Sequence, residues 1–189
     1  MLQYLRGENM RVFVALELPQ KTKDNLERSS NQFADFSNGG NFVPKDNFHV
    51  TLHFLGNVAP SDLIYIQSAM DSVKELPAPE VAVTQFAMQR SGDIVWAKLK
   101  HNADLTTLHD TLGDKLETNG FEVEHRAFRA HITLIRKKSF TLPWTEVVKN
   151  VKVYNKPFYA TNVVLYESVF GENGVTYREL YKVTLRPKE

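Results

Sequence analysis

Residues 49–55 read His-Val-Thr-Leu-His-Phe-Leu, and residues 131–135 read His-Ile-Thr-Leu-Ile. The pattern His-apolar-Thr-Leu occurs twice, 82 positions apart (131 − 49), in a chain with six histidines. Each copy has the same surroundings. Ahead of the first, apolar and β-branched residues at 11–18 predict a strand, and Pro19 opens a helix over 20–36. Ahead of the second, a strand at 93–100 leads to a helix at 103–118, where Leu105, Leu108, Leu112 and Leu116 recur at spacings of three and four. A repeated strand–helix–strand unit predicts an α+β fold of two related lobes with approximate two-fold symmetry. Two β-sheets then face each other across a central cleft, with helices packed outside.

The remaining segments fit that frame. The motif strands are expected at about 47–56 and 130–137, with SNGG at 37–40 ending the first helix. A helix from Pro60–Ser61 to about Leu76 is stopped by PAPE at 77–80. Strands at 81–90 and 93–100 form a hairpin around Gly92. Beyond Pro143, strands are expected at 151–154, 160–170 and 177–186, with a turn between Gly171 and Gly174. Residues 1–9 read as an N-terminal extension, and 10–189 as one bilobal domain with no low-complexity linker.

Composition narrows the chemistry. The 189 residues carry 23 Lys and Arg against 22 Asp and Glu, so a partner held by a broad cationic field is not indicated. There is no cysteine, which excludes disulfides, thiolate metal sites and a cysteine nucleophile, and fits a cytoplasmic protein. No stretch approaches the ~20 apolar residues of a membrane span.

Residues i and i+2 of a strand share a face, about 6.6 Å apart. His49 and Thr51 thus point one way, as do His131 and Thr133, while Val50 and Ile132 point into the lobes. Two such strands brought face to face line a cleft with two imidazoles and two hydroxyls. That set suits a phosphodiester. One histidine takes a proton from water, the other protonates the departing oxygen, and the threonines hold the phosphate. The arrangement requires no metal. His49 and His53 have an i, i+4 spacing suited to zinc on a helix, but on a strand they lie about 13 Å apart.

These residues resemble the 2H phosphoesterase superfamily, and within it the RNA 2′,3′-cyclic phosphodiesterases, also called 2′-5′ RNA ligases. The resemblance rests on four blocks in order: RVFVALELP at 11–19, VPKDNFHVTLHFLG at 43–56, FRAHITLIR at 128–136 and VVLYESVFGENGVTYREL at 163–180. It implies metal-independent hydrolysis of a terminal 2′,3′-cyclic phosphate on RNA to a 2′-phosphate, with no cofactor. A weak 2′-5′ ligase activity runs in the reverse direction. His49 would be the proton donor to the 3′ oxygen and His131 the base, with Thr51 and Thr133 on the phosphate. Phe54 and Arg136 match positions that lie near the substrate in relatives.

Strict alternation, however, places Phe54 and Arg136 on the face away from their histidines, and His53 on the same face as His49. A bulge at that point, or a structural role, would reconcile the two readings. Tyr166 and Phe170 read as core residues; Trp96 and Trp144 have no assignment. The implied partners are RNA 3′ ends bearing a cyclic phosphate, with no membrane and a monomer expected. Two other readings stay open: a phosphodiesterase of small cyclic nucleotides or ADP-ribose cyclic phosphate, and a non-catalytic module that binds RNA ends.

Overall fold

The apolar run that opens the repeat becomes strand β1 (Met10–Glu17), its Val12, Val14 and Leu16 sunk in the core. Our structure is a computed structural model describing residues 9–89, 91–172 and 174–188. All of the expected N-terminal extension except Asn9 lies outside those residues. Helix α1 (Gln20–Ala34) follows Pro19 and buries Leu26 and Phe33, seven positions and two turns apart. It ends earlier than expected, because residues 37–42 form strand β2 (Ser37–Phe42) instead of a loop. Next come β3 (His49–Val58), α2 (Leu63–Asp71), the two-residue β4 (Glu80–Val81), β5 (Val83–Met88) and β6 (Ile94–Leu99). The β5–β6 hairpin forms where expected, with Gly92 at φ 79°.

Helix α3 (Ala103–Thr118) matches its expected bounds. Asn102 caps it by accepting a hydrogen bond from the Leu105 amide at 3.1 Å, and Gly120, at φ 91°, follows its end. The second motif strand is β7 (His131–Phe140). A short helix, α4 (Trp144–Lys149), then lays Trp144 parallel to Phe33 at 5.8 Å between ring centroids. Residues 151–154 are not a strand, contrary to expectation. The chain closes with β8 (Phe158–Tyr159), β9 (Asn162–Gly171) and β10 (Gly174–Thr184).

Two four-stranded sheets result, in the orders β10-β9-β1-β3 and β2-β7-β6-β5, and the fold is bilobal. Each motif strand lies antiparallel to the strand that opens its own unit, β3 beside β1 and β7 beside β6. His49 lies opposite Glu17, and His131 opposite Lys98, so the two halves use the same register. The lobes also exchange chain. Strand β2, from the first unit, pairs with β7, while β9 and β10 complete the sheet of β1. This exchange could not be read from the repeat, since it depends on pairings far apart in sequence. The two motif strands pack against one another between the sheets. No helix among the described residues is long and apolar enough to cross a membrane.

Candidate active site between the motif strands

The motif strands share an irregularity. In β3 the partners of Val14 and Ala15 are His53 and Thr51, leaving Leu52 as an extra residue. In β7 the partners of Val95 and Trp96 are Ile135 and Thr133, leaving Leu134 extra. A bulge of this kind resets the alternation of side chains. Both strands therefore show the same sequence of burial. The histidine and threonine are partly exposed, the apolar residue between them is buried, the next two residues are buried, and the sixth is exposed.

The bulges correct the expectation from strict alternation. His53 turns inward and is 4% exposed, whereas Phe54 (63% exposed) and Arg136 return to the side of their histidines. His53 ties its strand to α3: its Nε2–H donates to the carbonyl oxygen of His109 at 2.8 Å, and the two rings stack at 4.3 Å. His109 stacks in turn on Phe128 at 4.1 Å, just ahead of the second motif.

The two motif histidines are held alike. His49 Nδ1–H donates to the Asn47 carbonyl oxygen at 2.7 Å, and His131 Nδ1–H to the Arg129 carbonyl oxygen at 2.8 Å. In each case the acceptor lies two residues back, so the neutral ring keeps its lone pair on Nε2. At His49 that nitrogen accepts from the Thr51 hydroxyl at 2.9 Å. Asn47 is itself anchored, its side-chain amide donating to the Val175 carbonyl oxygen on β10 at 2.8 Å.

Electrostatics tie the two sides together. Burial is the main cause that pushes the His49 pKa down to about 4; the charges of Arg136, His131 and Lys23 add to it, and the Asn47 carbonyl opposes it. His131 is lowered too, by burial first and then by Arg136 and Arg126, with the Arg129 carbonyl opposing. Arg136 thus acts on both imidazoles. A cationic group beside two neutral bases is an arrangement that an anion completes.

Aromatic side chains pave the His49 side. Phe13, only 2% exposed, packs its ring 4.9 Å from His49, 5.8 Å from Phe54, 5.5 Å from Tyr166 and 4.8 Å from Tyr177. Tyr177 meets His49 edge-on at 5.1 Å, and Tyr166 lies 6.4 Å away. Tyr166 is therefore a cleft residue and not a core one; burial raises its phenol to about 12, with Glu17 and Glu179 adding to the effect. The sequence reading missed Tyr166 and Tyr177. Alternation in β9 and β10 was the available signal, but only the pairing of β9 with β1 brings those rings to His49. Across the cleft, Trp96 packs on His131 at 4.5 Å.

Known proteins resemble this chain in sequence and in fold. Residues 16–96 match the family described as LigT like Phosphoesterase. Over these residues the chain is similar to the LigT-like phosphoesterases. An RNA 2′,3′-cyclic phosphodiesterase of Archaeoglobus fulgidus is 28% identical over 177 residues, covering 90% of this chain and 98% of that protein. One from Geobacillus stearothermophilus is 26% identical over 161 residues, which is 82% of this chain, and this match spans about half (51%) of its length. Among solved structures, Escherichia coli LigT complexed with 3′-AMP superposes with a TM-score of 0.78 at 24% identity, over 94% of this chain and 99% of that one. That likeness concerns the fold.

The family match stops at Trp96, short of the second motif. The equivalence of His131 to His49 rests on the structure: the same register, the same bulge and the same Nδ1 tether. Of the other histidines, His125 pairs with Glu117 on the surface at 3.0 Å. His101 lines an open depression of about 690 Å³ with Lys100, Asn102, Asp104 and Lys188, which includes no motif residue.

Proposed function

We propose that this protein is a LigT-like phosphoesterase that opens the 2′,3′-cyclic phosphate at the 3′ end of an RNA to a 2′-phosphate, by paired-histidine acid/base catalysis. The observation that carries the reading is the pair of matched Nδ1 tethers, which leave two Nε2 atoms on the facing strands for proton transfer.

In this mechanism His131 Nε2 removes a proton from water as the water oxygen bonds to phosphorus. The bond from phosphorus to O3′ breaks, and His49 Nε2–H delivers its proton to that oxygen. His131 ends protonated and His49 neutral, and exchange with solvent resets both. His49, held near 4 in the free cleft, needs to gain a proton first. The phosphate monoanion supplies the reason, since a negative charge beside the imidazole favours its charged form and offsets Arg136. Arg136 and the Thr51 and Thr133 hydroxyls bind the non-bridging oxygens, where they stabilise the charge that builds up during displacement. Phe54 presents its exposed ring to the terminal base. Two positioned imidazoles each contribute about 10²–10⁴-fold, so the scheme calls on no metal or cofactor. Ligation is the same displacement with an RNA 5′-hydroxyl in place of water, giving a 2′-5′ linkage; its reversal exchanges the two histidine roles.

We read the enzyme as a monomer, and as cytoplasmic in keeping with a cysteine-free chain. The relatives named for RNA 2′,3′-cyclic phosphodiesterase activity favour RNA ends over free cyclic nucleotides. The test is a short RNA ending in a 2′,3′-cyclic phosphate, incubated with the protein in EDTA, with the position of the product phosphate determined. A 2′-phosphate is expected. A 3′-phosphate would reverse the leaving group, and no product would remove the substrate assignment.

A further inference from the structure

The cleft face of the first sheet continues past the aromatic cluster. Arg11 stands two residues from Phe13 on β1 and so shares its side. On β9, Tyr166 lies opposite Phe13, and Phe170, four residues further, is on that side again. Phe170 is 69% exposed, and the Arg11 guanidinium sits 5.9 Å from its ring centroid. Phe54, also exposed, closes the row through its contact with Phe13. Two open phenyl rings and a cation thus extend one continuous face that starts at His49.

Charge along this face is uneven. Glu17 lies at the opposite end and Glu179 level with Tyr166, both engaged by Lys182 at 3.4 and 2.8 Å. The Phe170 end carries Arg11. An aromatic plane with an adjoining cation matches a nucleotide, whose base stacks while its phosphate meets the charge. Burying Phe170 against water would otherwise have to come from a partner with no relation to the cleft, yet the ring faces the same side as the histidine.

We propose that Phe170, backed by Arg11, forms a subsite for the nucleotide on the 5′ side of the terminal one, so that the cleft prefers an RNA end to a cyclic mononucleotide. This inference rests on the phosphodiesterase reading. A base seated on Phe170 contributes binding that a mononucleotide cannot reach. The same subsite gives the RNA a direction, running from the phosphate pocket toward the β9–β10 hairpin.

The test compares adenosine 2′,3′-cyclic phosphate with an adenosine trinucleotide ending in the same group, on wild type, Phe170→Ala, Phe170→Trp and Arg11→Ala. Wild type is expected to favour the trinucleotide in kcat/KM. Phe170→Ala should lower the trinucleotide-to-mononucleotide ratio about 5- to 150-fold, the range of one base–aromatic stack, and Phe170→Trp should keep it. Arg11→Ala should lower the same ratio and weaken its salt dependence. Equal turnover of both substrates by wild type, or a ratio indifferent to Phe170→Ala, would overturn the subsite and leave the phosphodiesterase reading intact. Turnover of neither substrate would remove both. Concentration-dependent dimerisation of wild type that Phe170→Ala abolishes would assign the ring to self-association and overturn the subsite as well.

Discussion

Leu52 and Leu134 hold the same place in opposite sheets: each is the extra residue of a bulge three positions after the motif histidine. Both are buried, and each bulge turns the residue two places later, Phe54 or Arg136, toward the cleft. The duplicated unit thus repeats a defect in pairing along with its histidine and threonine.

Shortening either leucine is expected to destabilise the fold. Leu134→Ala leaves a cavity under β7, at a cost of about 2–5 kcal/mol by chemical denaturation, and Leu52→Ala should fall in the same range. A loss below about 1 kcal/mol at both positions would mean that the bulges are not anchored by these side chains.

Stability should depend on pH through the motif histidines. The His49 pKa is about 4 in the folded protein, below the 6.5 of an unfolded histidine, so the unfolded chain takes up the proton first. The contribution is complete above about pH 6.5, declines as pH falls, and is lost by about pH 4, at roughly 1.4 kcal/mol for each pH unit separating the two values. His131, also lowered, adds with the same sign. Urea unfolding at pH 7, 5.5 and 4.5 measures this, and His49→Asn should flatten the dependence. An unchanged slope in that variant would place the His49 pKa near its ordinary value.

Anion binding should raise the His49 pKa. Titrated by NMR, its ring is expected to protonate near pH 4 alone and at higher pH in saturating inorganic phosphate. Equal titration in both conditions would remove His49 from the phosphate's surroundings and from the role of acid.

Gly113 in α3 marks where helix and strand meet. A Cβ there would lie 3.0 Å from His53 Cε1, and the His53 ring is held by the His109 carbonyl. Gly113→Ala should therefore destabilise by about 1–3 kcal/mol, against the gain of about 1 kcal/mol alanine brings to a helix interior. In a His53→Ala background the same change is expected to be neutral or stabilising. Stabilisation in the wild-type background would show that the ring moves aside.

Much of this was legible in the sequence because the duplicated unit marks itself. His49-Val-Thr and His131-Ile-Thr, the leucine stripe of α3 and the Gly92 hairpin all carry local patterns, and the strands and helices they announce formed. The bulges left only a faint trace: Leu52-His53 and Leu134-Ile135 are consecutive buried residues, and a histidine in the first pair disguised it. The rings of Tyr166 and Tyr177 were not legible, because their approach to His49 depends on β9 joining the sheet of β1, a pairing roughly 150 residues apart. Helix α4 was missed for a different reason. It has six residues, too few to show a helical period.

The central claim is that His49 and His131 act in one chemical step. The direct measurement is kcat on an RNA ending in a 2′,3′-cyclic phosphate for His49→Ala, His131→Ala and the double variant, with folding checked for each. Each single variant is expected to lose about 10²–10⁴-fold, and the double should fall little further than the weaker single, as residues acting as a unit do. Near wild-type turnover in either single variant would contradict the paired mechanism.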